Sequence, residues 1–233
     1  MNECFTVEPV AHIHTDFKDK FGIPRQSGRV ESLTGTVVFV PKYRTPDALR
    51  EIESFSHLWL IFEFSKSHRE NRAGDWSPTV RPPRLGGNRR VGVFASRSPF
   101  RPNSLGLSCV RLLGVEKHPK YGAVLRVAGV DLLDGTPIID IKPYLPFADS
   151  RPDAVGGYAD SESSHSLRVV FPDELLWRIP EDKREAAVDC IAEDPRPSYQ
   201  NDEREYTMTI AGMAIDFTVR DGTATVHNVR KES

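Results

Sequence analysis

The sequence predicts a mainly β protein: an all-β barrel or sandwich over the first 150 residues, followed by a small α+β unit. Short runs rich in β-branched and aromatic residues recur from residue 7 to residue 145, no helical stretch of a dozen residues separates them, and the composition changes sharply near residue 150. A doubly wound parallel sheet would alternate strands with such helical stretches, so that architecture is excluded. A chain of 233 residues accommodates one large domain, or a main domain with a smaller second one. The reading places the boundary between residues 1–150 and 151–233.

In chain order, "VEPVAHIH" (7–14) and "LTGTVVFV" (33–40) have the composition of half-buried strands. "TPDALREIE" offers Thr45 as a cap and Pro46 at a first helical position, predicting a short helix. "HLWLIFEF" (57–64) reads as a central strand, and "RRVGVFAS", "GLSCVRLLGV", "GAVLRVAGVDLL" and "TPIIDIKPYL" continue the strand pattern. The small, polar segment at 148–166 is a boundary or a surface loop. Beyond it, "EDKREAAVDCIAED" (181–194) begins acidic and ends before Pro195, as a helix should. "MAIDFTVRDGTATVHNV" alternates, turns at Asp221-Gly222 and alternates again, predicting a hairpin with a type I′ turn.

Whole-chain composition is that of a soluble globular protein, 39% hydrophobic and 27% charged, with no apolar run long enough for a membrane helix. The first residues lack a basic leader and an apolar stretch, so the protein is expected to stay in the cytoplasm. Cys4, Cys109 and Cys190 are scattered and lack Cys-x-x-Cys spacing, which argues for buried, inert thiols rather than disulfides or a zinc site.

The formal net charge of −2 hides an asymmetry. No Asp or Glu occurs from Trp76 to Val115, a span that holds Arg81, Arg84, Arg89, Arg90, Arg97, Arg101 and Arg111. A positive face on a near-neutral protein concentrates an anionic partner without making the whole molecule adhesive. Guanidinium pairs bidentately with phosphate or carboxylate and stacks on bases. A solvated loop neutralised by acids elsewhere is the alternative, but the prolines and glycines among these arginines order the backbone that carries them.

Several chemistries drop out. "LGGNRRVG" is not the Rossmann glycine pattern, and no Walker A lysine or G-x-S-x-G elbow occurs. His12 and His14 share a strand face but have no third ligand nearby, so no metal is expected. Polar turns at strand ends remain. Asp131, Asp134 and Asp140, with Lys142 and Tyr144 close behind, are too many chemical groups for turn formation alone, and they mark a candidate site.

"KFGIPRQSG", "ESFSHLWLIFEF", "WSPTVRPPRLGGNRRVGVFASRSPFRPNSLGLS", "DLLDGTPIIDIKPYLPFAD" and "AEDPRPSY" resemble the TrmO family, also called YaeB or TsaA-like proteins, from about residue 7 onward. The resemblance implies a single-sheeted, non-Rossmann β-barrel with an added C-terminal domain, acting as a homodimer. It implies methyl transfer from S-adenosylmethionine to the exocyclic nitrogen of threonylcarbamoyladenosine, 3′ of the anticodon of tRNA. By the same resemblance the cofactor lies against Pro24, Arg25, Gln26, Ser65, Lys66, Arg97 and Leu107, and along Ala128, Gly129, Val130 and Asp131. Ser65-Lys66 stand where the family commonly has His-Gln, so an imidazole is absent there.

For this chemistry Asp140 is expected to accept the proton or polarise the N–H, with Lys142 and Tyr144 orienting the carbamoyl-threonine carboxylate. Arg81, Arg84, Arg89, Arg90 and Arg101 grip anticodon-stem phosphates or a partner subunit. Two other readings remain open: an RNA-binding barrel without chemistry, and a methyltransferase or hydrolase acting on a free anionic small molecule.

Overall fold

A computed structural model of the chain describes residues 5–64, 77–82, 89–162, 166–197 and 204–232. The first region contains β1 (Ala11–His14), β2 (Thr34–Phe39), β3 (His57–Glu63), β4 (Thr79–Val80), β5 (Val91–Gly92), β6 (Leu105–His118), β7 (Gly122–Ala128) and β8 (Thr136–Pro143). Six of these hydrogen-bond in the closed circuit β1-β2-β7-β6-β3-β8, a barrel in which every neighbouring pair is antiparallel. The two-residue period explains how it fills: along β3, Leu58, Leu60 and Phe62 are buried while Trp59 and Ile61 are only half-buried. Closure pairs each of these strands on both sides over part of its length. Phe62 pairs with Gly106, and its ring occupies the space a side chain on Gly106 would need, which accounts for a glycine inside a strand.

Three local expectations are corrected. The stretch after Thr45 forms two 3-10 turns, Pro46–Leu49 and Ile52–Ser54, rather than a helix. Thr45 makes no side-chain cap bond, and Glu51 adopts a left-handed φ of 66°, so a helix could not propagate through it. Residues 89–96 are not a barrel strand. Only β5 forms, pairs with the two-residue β4, and passes into a 3-10 turn at Val93–Ala95. Cys109 is half-buried rather than buried, because it takes the outward register of β6.

The first region ends with α1 (Pro146–Asp149), and the second contains β9 (Arg168–Val170), α2 (Asp173–Leu176), α3 (Arg184–Ala192), β10 (Tyr206–Ile210), β11 (Met213–Arg220) and β12 (Thr223–Lys231). The sheet order is β10-β11-β12-β9, with β9 parallel to β12. The β11–β12 turn has positive φ at both Asp221 and Gly222, as type I′ requires. The helix expected over 181–194 is shorter: Glu181–Lys183 is a 3-10 turn, and Asp194 has a φ of 49°, past the helix end.

The two regions share one core. Phe17 is buried with the sheet residues Met208, Ile215 and Phe217, Phe21 stacks on Tyr206 at 6.1 Å, and Gly22 abuts Met208. Among the described residues no buried side-chain polar atom lacks a hydrogen bond, and no helix is long and apolar enough to cross a membrane.

Candidate active site

The barrel opens where two paired strands part. β6 and β7 pair from His118↔Gly122 to Arg111↔Ala128, after which β7 ends and β6 continues alone on that side to Leu105. The Cys109 N–H on this edge donates to the Ser27 hydroxyl oxygen at 3.0 Å instead of to a strand. By the two-residue period, the Leu107 N–H and C=O face the same edge.

The 24–28 loop lies along this split. Pro24 is buried, Gln26 is exposed, and the Gly28 N–H donates to the Gly129 carbonyl at 2.9 Å. Gly129, at φ 72°, donates in turn to Leu33, and a Cβ on it would come within 3.2 Å of the Gly28 backbone. The residues after β7 therefore approach the loop as closely as two glycines permit. Ala128 and Val130 are buried in the barrel wall, so their side chains are not presented to a ligand.

Asp131 closes the inner end of the split. Its carboxylate accepts from the Ser108 hydroxyl at 2.6 Å. Burial pushes its pKa up to about 6, against the opposing pull of Ser108, the backbone N–H groups of Asp131 and Ser27, and the nearby charge of Arg97. Arg97 also donates to the Gln26 side-chain oxygen, which brings the 93–101 segment over the loop. Sequence reasoning had passed over Ser27 and Ser108. A serine at an inward register inside "LGLSCV" was the available signal.

The arginine segment reaches this split through Arg97. Arg90 donates to the Thr79 hydroxyl at 2.9 Å and Arg101 to the Ser96 carbonyl at 2.9 Å, while Tyr158 donates to the Ala95 carbonyl at 2.8 Å. Arg81, Arg89 and Arg90 are exposed. Among the described residues none of Arg81, Arg89, Arg90, Arg97, Arg101 and Arg111 forms a salt bridge, although the charge of Arg97 acts on the nearby Asp131 carboxylate. Arg84, Ser65 and Lys66 lie outside the described residues.

Asp140, Lys142 and Tyr144 do not join Asp131. They lie on or just beyond β8, with Asp140 level with Ile61, and Ile61 level with Leu107 on β6. Two strand spacings put Asp140 about 10 Å from Leu107 across the outer face. The Asp140 carboxylate accepts from the Ile141 N–H at 2.9 Å and pairs with Lys142 at 3.2 Å. Tyr144 packs its ring 5.7 Å from that of Trp59, whose indole donates to Asp149 at 3.0 Å. Asp134, expected to belong with these carboxylates, is a turn residue: it accepts from the Thr15 N–H at 3.1 Å and contacts His14 at 3.2 Å. No group of three or more metal-ligating side chains occurs among the described residues.

The arrangement has donors and acceptors on a free strand edge, a close glycine approach and a half-buried carboxylate. Those features fit a compact cationic ligand such as S-adenosylmethionine.

Comparison with known proteins places this architecture. Residues 12–150 match the tRNA-methyltransferase O N-terminal domain, and residues 165–232 match the TrmO C-terminal domain. A tRNA (adenine(37)-N6)-methyltransferase of Escherichia coli (strain K12) is 44% identical over 222 residues, covering 93% of this chain and 92% of that protein. One from Eikenella corrodens is 47% identical over 178 residues, 76% of this chain and 97% of that one. A crystal structure of TrmO from Pseudomonas aeruginosa superposes with a TM-score of 0.77 at 31% identity, covering 98% of this chain and all of that one. An arginine-rimmed split in a β-barrel, joined to a small α+β sheet, thus belongs to a chain that is a member of the TrmO family.

Proposed function

We propose that this protein transfers the methyl group of S-adenosylmethionine to the exocyclic nitrogen of threonylcarbamoyladenosine at position 37 of tRNA. Residues 1–150 serve as the methyltransferase domain, and residues 151–233 form a smaller C-terminal domain. The observation that carries the reading is the arginine rim: among the described residues Arg81, Arg89, Arg90, Arg101 and Arg111 form no salt bridge, and Arg97 of the same segment borders the split where β7 ends beside β6. Full neutralisation by RNA phosphates is the natural use of such a rim. Unstacked anticodon-loop bases are then read by stacking and edge contacts.

When bound, S-adenosylmethionine supplies a methyl group already activated on a sulfonium. The chain's own work is to place and to deprotonate. Gln26, Arg97, the Leu107 edge and the Gly129–Asp131 backbone would hold the donor, and the half-buried Asp131 carboxylate favours its cationic charge. Nucleophile and methyl are brought in line, which by itself supplies much of the acceleration.

Transfer would exchange the donor's C–S bond for the new N–C bond. The nitrogen's proton leaves to Asp140, and the products are a thioether and the methylated base. Lys142, paired with Asp140 at 3.2 Å, is released from that carboxylate when it takes up the substrate's own carboxylate, leaving Asp140 a better base. The protein works in the cytoplasm as a homodimer.

Incubation of the purified protein with S-adenosylmethionine and bulk tRNA from a methylation-deficient strain tests the reading. Nucleoside mass analysis should find one added methyl on threonylcarbamoyladenosine, and Asp140→Asn should bind both ligands while losing most of kcat. Bound RNA without methylation would favour a non-catalytic RNA-binding barrel. Methylation of a small anionic molecule instead of RNA would favour a metabolite enzyme.

A further inference from the structure

The loop that carries Pro24, Arg25 and Gln26 is held from two sides. On the barrel side Gln26 meets Arg97, the Ser27 hydroxyl accepts from Cys109, and Gly28 donates to Gly129. The other side is not the barrel. Arg25 donates through Nη2 to the Arg196 carbonyl at 2.8 Å, and Arg29 forks onto both oxygens of Glu193 at 2.9 Å each. Glu193 raises the affinity of the Arg29 guanidinium for its proton, chiefly through these hydrogen bonds.

The partner segment is itself rigid. Asp194 is buried at a left-handed φ of 49°. Its carboxylate accepts from Arg196 Nε at 2.8 Å and Nη2 at 3.0 Å, and the Arg196 guanidinium lies 5.8 Å from the Tyr206 ring centre. A flexible surface turn would need none of this. A cleft of about 130 Å³ separates Pro24 and Arg25 from Glu193 and Pro195, so the polar bonds span a seam that apolar packing does not fill. Farther along the same seam, Ser32 donates to Asp189 at 3.1 Å and Lys183 pairs with Asp16 at 2.6 Å.

We propose that the Glu193–Arg196 turn is a positioning element for the 24–29 loop, so that the C-terminal region sets the affinity for S-adenosylmethionine from outside the barrel. The inference rests on the reading that this loop contacts the methyl donor. Because Arg25 lies among the contact residues and Arg29 just after them, loss of their outer bonds frees the loop to leave the geometry the donor requires. The effect passes through the loop and leaves the arginine rim and the outer face of β8 untouched.

The full-length protein serves for the test, with Glu193→Gln, Arg29→Gln and the double variant. Hydrogen exchange follows the amides of residues 25–29, and titration with S-adenosylmethionine and with tRNA follows binding. The expected result is faster exchange in the loop and a rise of about fivefold or more in the dissociation constant and KM for S-adenosylmethionine. kcat at saturation, tRNA affinity and melting temperature stay near wild type, and the double variant is no worse than either single one.

Unchanged exchange in the loop would overturn the latch and leave the loop's assignment to the donor intact. Faster exchange with unchanged affinity would overturn the positioning role by removing the loop from the donor's site. Losses of donor and tRNA binding that simply track a fall in melting temperature would overturn it in favour of general destabilisation.

Discussion

Replacing Asp131 by Asn should make the protein more stable at neutral pH and worse at binding its methyl donor. Burial raises the Asp131 carboxyl from 3.8 to about 6. The folded state therefore binds this proton more tightly than the unfolded state. The favourable contribution is fully present below pH 4 and is lost as pH rises through 6. A rise from 3.8 to about 6 corresponds to about 3 kcal/mol of stability forfeited above pH 7.

With a core shared by both regions, one unfolding transition is expected. At about 2–4 °C per kcal/mol for a chain of this size, the ceiling is a gain of about 6–12 °C for Asp131→Asn at pH 7.5. Asn cannot reproduce every acceptor position, so the absolute difference mixes this gain with altered hydrogen bonding to Ser108 and Ser27. The pH dependence of the difference isolates ionisation. Scanning calorimetry of both proteins from pH 4 to pH 7.5 should show the variant's advantage growing through pH 4–6.5 and then levelling. A constant offset across that range would refute the argument. Titration of the same pair with S-adenosylmethionine should show the variant weaker at pH 7.5, with the gap closing as wild-type Asp131 is protonated.

The remaining predictions concern the rim and the wall. Arg89→Ala should weaken tRNA binding and reduce the slope of log K against log salt by roughly 0.7 to 0.9, leaving affinity for the methyl donor unchanged; an unaltered slope would remove Arg89 from the RNA surface. Gly106→Ala forces a methyl group against the ring of the buried Phe62. Overpacking of that kind costs about 1–3 kcal/mol, visible as a lower denaturation midpoint at unchanged m-value.

Most strands were legible because their burial alternates with the two-residue period, as Leu58, Leu60 and Phe62 do on β3. Asp221-Gly222 announced its own turn, since both residues tolerate a positive φ. The failures share a cause. Val91–Gly92 has strand composition, yet its only partner is two residues long, and partner length is not a local property. β9 and β10 escaped notice because three or five residues carry too little periodicity. At the site, the arginine rim was visible as an uninterrupted absence of acids, and the likeness to a known family pointed to the 24–26 loop. That Asp134 belongs with Thr15 while Asp131 belongs with Ser108 could not be read from residues spaced three apart. Strand register decides it. The bonds from Arg25 and Arg29 to the 193–196 turn join segments more than 160 residues apart in sequence, and no pattern in either segment names the other.

The parallel pairing of β9 with β12 has a consequence for biosynthesis. Arg168 leaves the ribosome long before its neighbour Thr223, so the smaller sheet cannot assemble until the hairpin that supplies β12 has emerged. The barrel, whose strands are all complete by Pro143, is free to close while that sheet is still being made. A nascent chain paused in this interval would carry a finished wall with the outer brace of its 24–29 loop missing.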